Sequence, residues 1–183
     1  KNMVLTLFLV TLIASSVLAF FNELTREPIK QTRLAKQLEA LRMVLPDFDN
    51  SPVEEVKSVR PEGSDYALEV YPAQAGDDPV GFAVRSYTKA GYSGEFWIMV
   101  GFNPDGTINN TAVLQHEETP GLGSKMTGSF KTQFVGLHPE KDDISVDGEI
   151  DAITAATISS KAFCDATRRA YKAFELYKEE NQN

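Results

Sequence analysis

The chain has 183 residues, a formal net charge of −8 at pH 7, a single cysteine and two histidines, a length that suits one globular domain with an appendage. The acidic balance argues against nucleic acid or an anionic membrane surface as partner, and Cys164 alone excludes an internal disulfide framework. His116 and His138 lie far apart and lack the helical pairing or cysteine partners of a zinc site, so no metal is expected.

The chain opens on Lys1 rather than Met, so further residues are expected to precede it in the natural protein. Residues 3–21, MVLTLFLVTLIASSVLAFF, carry no charged side chain and are long enough to cross a hydrocarbon layer as a helix. We read residues 1–21 as a transmembrane anchor. The alternative is a cleaved secretory signal, because VLA before Phe20 has the small residues that a signal peptidase accepts; the apolar run exceeds a usual signal core, which favours the anchor. Thr6, Thr11, Ser15 and Ser16 could serve helix packing, or could face lipid with their hydroxyls bonded to their own backbone. Arg26, Lys30, Arg33 and Lys36 follow the anchor and, counted alone, would hold the domain in the cytoplasm. Long domains translocate regardless of such charges, so the count does not settle the side.

Residues 22–46 predict an amphipathic stalk helix, with Leu34, Leu38, Leu41 and Leu45 at helical spacing and a stop near Pro46. Residues 47–183 form the domain proper. Strand-like runs follow in EEVKSV, DYALEVY, VGFAVRSYT and EFWIMVGF; NPDG then reads as a turn and TINNTAVLQH as the returning arm of an antiparallel sheet. Residues 96–102 are apolar at nearly every position, as in a central strand covered on both faces, so Trp97 and Met99 read as core. From Ile158, the apolar residues Ala162, Phe163, Ala166, Ala170, Phe174 and Tyr177 keep a helical period, with Cys164 packed on that helix rather than serving as a reactive thiol. The order of elements predicts an α+β domain.

Between hairpin and last helix lies HEETPGLGSKMTGSF, residues 116–130. Gly121 and Gly123 permit a tight backbone that a bulky planar ligand can approach, although the loop lacks the ending of a phosphate-binding Walker loop. No ordered Ser, His and Asp set supports hydrolytic chemistry. A helix starting near Thr157 to Ser160 would present unpaired N–H groups and a positive dipole end, which suits a phosphate. Ser and Thr are also ordinary capping residues, so a plain capped helix remains open.

The string DAITAAT, residues 151–157, resembles the covalent FMN attachment motif of the FMN-binding domains in bacterial respiratory flavoproteins, commonly written D-x-x-[ST]-G-A-T. GYSGEFWIMVGFNPDGTI and HEETPGLGSKM resemble two other signatures of that family, in the same order. With the N-terminal anchor, the resemblance covers nearly the whole chain and is to the RnfG family of Rnf complexes, which are ion-translocating ferredoxin:NAD+ oxidoreductases. The related NqrC family of sodium-pumping NADH:quinone oxidoreductases is usually longer. The resemblance implies that FMN is joined through its phosphate to the hydroxyl of Thr157 by a Mg²⁺-dependent flavin transferase, with Asp151, Thr154, Ala155 and Ala156 forming the recognition turn. It also implies that Glu118, Thr119, Gly121, Leu122 and Gly123 border the flavin ring, with Tyr92 near it. The expected role is an electron carrier among the other membrane and redox subunits of a complex. Its domain would lie on the extracytoplasmic, periplasmic side of a bacterial inner membrane. A quinone-directed carrier and a non-redox anchored scaffold are the alternatives. Ala155 stands where the motif has glycine, so a backbone with φ > 0 there would be strained.

Overall fold

Apolar periodicity and strand propensity divide this sequence sharply between helix at its two ends and sheet between them. The computed structural model describes residues 2–181; Lys1, Gln182 and Asn183, at the ends of the expected anchor and domain, lie outside the described residues. The first helix, α1, runs over Asn2–Val44 without interruption, with Pro28 inside it. The expected anchor and stalk are therefore one element, although the chain divides into two units between Leu38 and Glu39.

In the first unit, α1 contains a window long and apolar enough to cross a membrane, and its apolar side chains, such as Leu7, Phe8, Ile13 and Phe20, are exposed. Three of its four hydroxyls singled out above bond within the helix. Thr6 Oγ1 donates to the Asn2 carbonyl at 2.9 Å, Thr11 Oγ1 to Leu7 at 3.0 Å and Ser16 Oγ to Leu12 at 2.8 Å. Such bonds remove the penalty of an unpaired polar group in hydrocarbon. Leu34 and Leu38 are exposed, so the leucine stripe of the stalk is buried only at its far end.

In the second unit, five strands form an antiparallel meander in the order β1 (Lys57–Val59), β2 (Leu68–Ala75), β3 (Asp78–Gly91), β4 (Gly94–Phe102) and β5 (Ile108–Gln115). β4 lies between β3 and β5 and separates two cores. Ile98, Val100 and Phe102 enter the larger one, while Met99 joins Ala40, Leu41, Val44 and Leu45 at the end of α1 on the other face. Successive side chains of a strand point to opposite faces, which is why an unbroken apolar run is required here. Trp97 is not fully buried. It packs at the rim of the larger core, stacked 5.7 Å from Tyr66 with the Arg85 guanidinium 4.3 Å from its ring centre, and its Nε1–H donates to Glu95 at 2.9 Å.

The last helix, α2 (Thr157–Asn181), covers the larger core. Ala162, Ala166, Ala170 and Ala173 give it a face of small residues toward the sheet, and Ser86 Oγ donates to the Ala166 carbonyl at 2.7 Å. Phe163 and Phe174 fill the space beside them, each contributing roughly 1.5–3 kcal/mol on burial. Cys164 is also buried there, and burial pushes its thiol up to about 11, well away from reactive thiolate chemistry. Ile158 departs from the expected pattern. It is exposed, and Ser159 and Ser160 occupy the buried positions of the first turn instead.

Candidate functional site

Three segments remote in sequence converge at the start of α2. The β3–β4 hairpin supplies Tyr92 at its turn, the glycine-containing loop after β5 supplies Glu118, Thr119, Leu122 and Gly123, and the helix start supplies Ala155, Ala156, Thr157, Ile158 and Ser159. Together they line a cavity of about 490 Å³, within the roughly 300–1,000 Å³ of small-molecule and cofactor sites. Tyr92, Leu122 and Ile158 are exposed apolar walls, and Glu118 and Ser159 are buried.

Local hydrogen bonds explain why the loop takes this shape. Leu122 and Ser124 both donate their N–H to the Thr119 carbonyl, at 3.1 and 3.3 Å, and the Gly121 N–H donates to Ser124 Oγ at 2.9 Å. Gly121 has φ +77°, a conformation that L residues adopt at a cost, and this turns the loop back on itself. Gly123 is required for space. A Cβ there would stand 2.4 Å from Glu118 Oε2 and 2.6 Å from Ser159 Oγ.

The helix start is held by Ser160, whose Oγ accepts the Ile153 N–H and donates to the Ala156 carbonyl, each at 3.0 Å. The Ser160 N–H also donates to the Ala156 carbonyl at 3.0 Å. Ala156 offers no side-chain oxygen to the first-turn N–H groups, so these and the positive end of the dipole remain suited to an anion beside the exposed Thr157. The arrangement fits FMN: exposed apolar walls for a planar ring, and a helix N-terminus for a phosphate.

Of the residues singled out in the sequence, Tyr92, Glu118, Thr119, Leu122, Gly123, Ala155, Ala156 and Thr157 therefore share one cavity. Asp151 and Thr154 do not line it. They open onto a neighbouring groove with Lys125, Ser129, Phe130 and Gln133, where Asp151 N–H donates to Gln133 Oε1 at 2.9 Å and Gln133 Nε2 donates to the Asp151 carbonyl at 3.2 Å. Gly121 lines neither and shapes the loop. Sequence reading misses Ser159 and starts the apolar helical period at Ile158, which is exposed, because a helical count of apolar residues gives no signal for a hydroxyl buried against a carboxylate. Among the described residues, no group of three or more His, Cys, Asp or Glu side chains is placed to hold a metal ion.

Ala155 has φ 63°, the one positive value among the described non-glycine residues. The left-handed conformation costs an L residue roughly 1–2 kcal/mol, partly offset by the greater freedom that glycine restores to the unfolded chain. Ala155→Gly is therefore expected to stabilise the protein by about 0.5–1 kcal/mol. Thermal unfolding of the two chains would show this as a midpoint raised by about 1–4 °C, and a lowered midpoint would contradict the strain.

Comparison with known proteins agrees with this geometry. The FMN-binding domain family matches residues 91–172. The chain is 30% identical over 185 residues to the G subunit of the Na(+)-translocating ferredoxin:NAD(+) oxidoreductase complex of Acetobacterium woodii, a match that covers 93% of this chain and 89% of the relative. It is 32% identical over 193 residues to the G subunit of the ion-translocating oxidoreductase complex of Shewanella piezotolerans, covering 96% and 89%. The crystal structure of Shewanella oneidensis NqrC has the same fold, with a TM-score of 0.52 and 17% identity over 74% of this chain and 68% of that one. With an FMN-binding domain built around the helix start, and relatives aligned along nearly its full length, the chain belongs to the RnfG family of ion-translocating oxidoreductase complexes.

Proposed function

We propose that this chain is a membrane-anchored electron carrier whose FMN is held by a phosphoester bond to Thr157. The observation that carries this reading is the position of the Thr157 hydroxyl: exposed, at the N-terminus of α2, on the rim of a cavity large enough for a flavin. When bound, FMN supplies reversible uptake of electrons. The chain's own residues do the rest. Leu122, Ile158 and Tyr92 exclude water from part of the ring, the first turn of α2 receives the phosphate, and Gly123 leaves room for the Glu118 and Ser159 side chains that back the cavity.

Asp151 and Thr154, on the adjoining groove, are exposed and well placed to meet a flavin transferase without blocking the cavity. The electron donors and acceptors are the other membrane and redox subunits of an Rnf-type complex, and the domain lies on the periplasmic side of the inner membrane. Family membership supports this role over a quinone-directed one, since the likeness to NqrC at 17% identity concerns the fold alone.

Intact-mass and peptide-mapping analysis of the denatured chain from its native host tests the proposal. The expected result is a mass increase equal to FMN less one water, located on Thr157. An unmodified, non-fluorescent chain would instead favour a scaffold in which Thr157 merely begins a helix.

A further inference from the structure

Glu118 carries a charge where packing alone does not demand one. It is only 5% exposed. Its Oε2 accepts from Ser159 Oγ at 2.8 Å and its Oε1 accepts the Ser93 N–H at 3.3 Å, while its own N–H donates to His116 Nδ1 at 3.2 Å. The carboxylate thus ties the glycine loop to the hairpin turn on one side and to α2 on the other. Two glycines make room for it. A Cβ at Gly91 would lie 2.6 Å from Oε1, and one at Gly123 2.4 Å from Oε2.

Among the described residues no cation pairs with Glu118; the ion pairs of the domain, such as Arg85–Glu69 and Arg169–Asp165, lie elsewhere. A buried charge without a counter-ion is costly to keep. Its two hydrogen bonds could be made by a neutral amide. A glutamine oxygen would accept the Ser93 N–H, and its amide would donate to Ser159 after the hydroxyl turned round. What glutamine would not supply is the negative charge on the wall of the cavity.

We infer that Glu118 sets the reduction potential of the flavin, its charge opposing each electron that enters the cavity. The inference rests on the FMN reading above. Because Glu118 is buried, water and salt screen its charge less than that of a surface carboxylate. The N-terminus of α2 acts in the opposite sense, but a helix end is worth roughly half a unit charge and does not cancel a full carboxylate. The electron comes from a redox partner of the complex, or from an electrode in the measurement. Two electrons, with a proton taken from solvent, leave the ring with a net gain of one negative charge, and no bond between flavin and chain is made or broken. Glu118 is accordingly a positioning and potential-setting residue rather than a catalytic one.

Glu118→Gln separates charge from shape. Spectroelectrochemical titration of the flavin-loaded, full-length chain is expected to give a more positive midpoint potential for Glu118→Gln than for the wild type, with similar thermal unfolding of the two. Glu117→Gln, which removes an exposed carboxylate one residue away, should leave the potential unchanged. A potential in Glu118→Gln equal to or below the wild-type value overturns the inference, as does an equal shift in Glu117→Gln. If Glu118→Gln does not accumulate, Ser159→Ala strips a donor from the carboxylate, and at alkaline pH, where the carboxylate stays ionised without that donor, the potential should fall; an unchanged or raised value there overturns the inference. Wild-type chain without flavin would overturn the FMN reading as well, whereas flavin-loaded wild type with no shift in Glu118→Gln defeats the role of Glu118 alone.

Discussion

Thr157→Ala is expected to abolish covalent flavin completely while leaving the domain folded. The chemical half of this expectation is absolute, because alanine has no oxygen to form the ester. The structural half follows from how the helix start is held. Ser160 accepts the Ile153 N–H and donates to the Ala156 carbonyl, and neither bond involves Thr157, whose side chain is exposed. Losing any capping contribution from Thr157 costs at most about 0.5–2 kcal/mol, which a domain with two filled cores tolerates. Denaturing gel fluorescence and intact mass would report attachment, and thermal unfolding would report the fold. Thr154→Ala is the informative control. Thr154 opens onto the neighbouring groove rather than the cavity, so its loss should slow attachment at most. Full flavinylation of Thr157→Ala together with none in Thr154→Ala would move the ester to Thr154.

These outcomes depend on features that are legible in the sequence to different degrees. The five strands can be read from their own runs, because strand propensity and turn residues are local signals. The two-faced burial of β4 follows from an apolar run with no alternation. The helix start is less transparent. Hydrophobic periodicity begins at Ile158, yet Ile158 is exposed while Ser159 and Ser160 are buried. Their hydroxyls find partners in Glu118 and in the backbone of residues 153 and 156, and such burial leaves no trace in an apolar count. The cavity is still further from view. Tyr92, Glu118 and Ser159 meet only because the sheet brings the hairpin turn and the loop to the N-terminus of α2; the Glu118–Ser159 bond alone spans 41 positions. Resemblance to a family points to Glu118 as a neighbour of the ring, but its burial, its lack of a cation and the two glycines that accommodate it emerge only in three dimensions. Ala155, where the resembled motif has glycine, holds a positive φ that only the structure reveals.

Gly101→Ala is expected to cause the largest loss of stability of any glycine-to-alanine change in the domain. A Cβ at residue 101 would stand 1.8 Å from the Val44 carbonyl oxygen, 2.6 Å from its carbon and 2.9 Å from the Val44 Cβ. None of these can yield cheaply. The Val44 carbonyl accepts from Asn109 Nδ2 at 2.8 Å, and the end of α1 is fixed by the burial of Ala40, Leu41, Val44 and Leu45. Gly101 itself is pinned between Ala83 of β3 and Asn110 of β5. Overpacking of a core costs typically 1–3 kcal/mol, and a backbone obstacle puts this substitution at about 3 kcal/mol. For a chain of this size that corresponds to a melting temperature lowered by about 6–12 °C, measurable on the detergent-solubilised full-length protein. Gly128→Ala is the matched control: its nearest neighbour would be the Lys125 carbonyl oxygen at 3.4 Å, so it should change stability by no more than about 0.5 kcal/mol. An unchanged midpoint in Gly101→Ala would mean that the end of α1 does not rest on β4. Because Gly101 faces the smaller core while the cavity lies at the start of α2, the folded fraction of Gly101→Ala should still carry one flavin per chain. Stability lost without loss of flavin stoichiometry would show that the sheet separates the packing at the end of α1 from the seat of the cofactor.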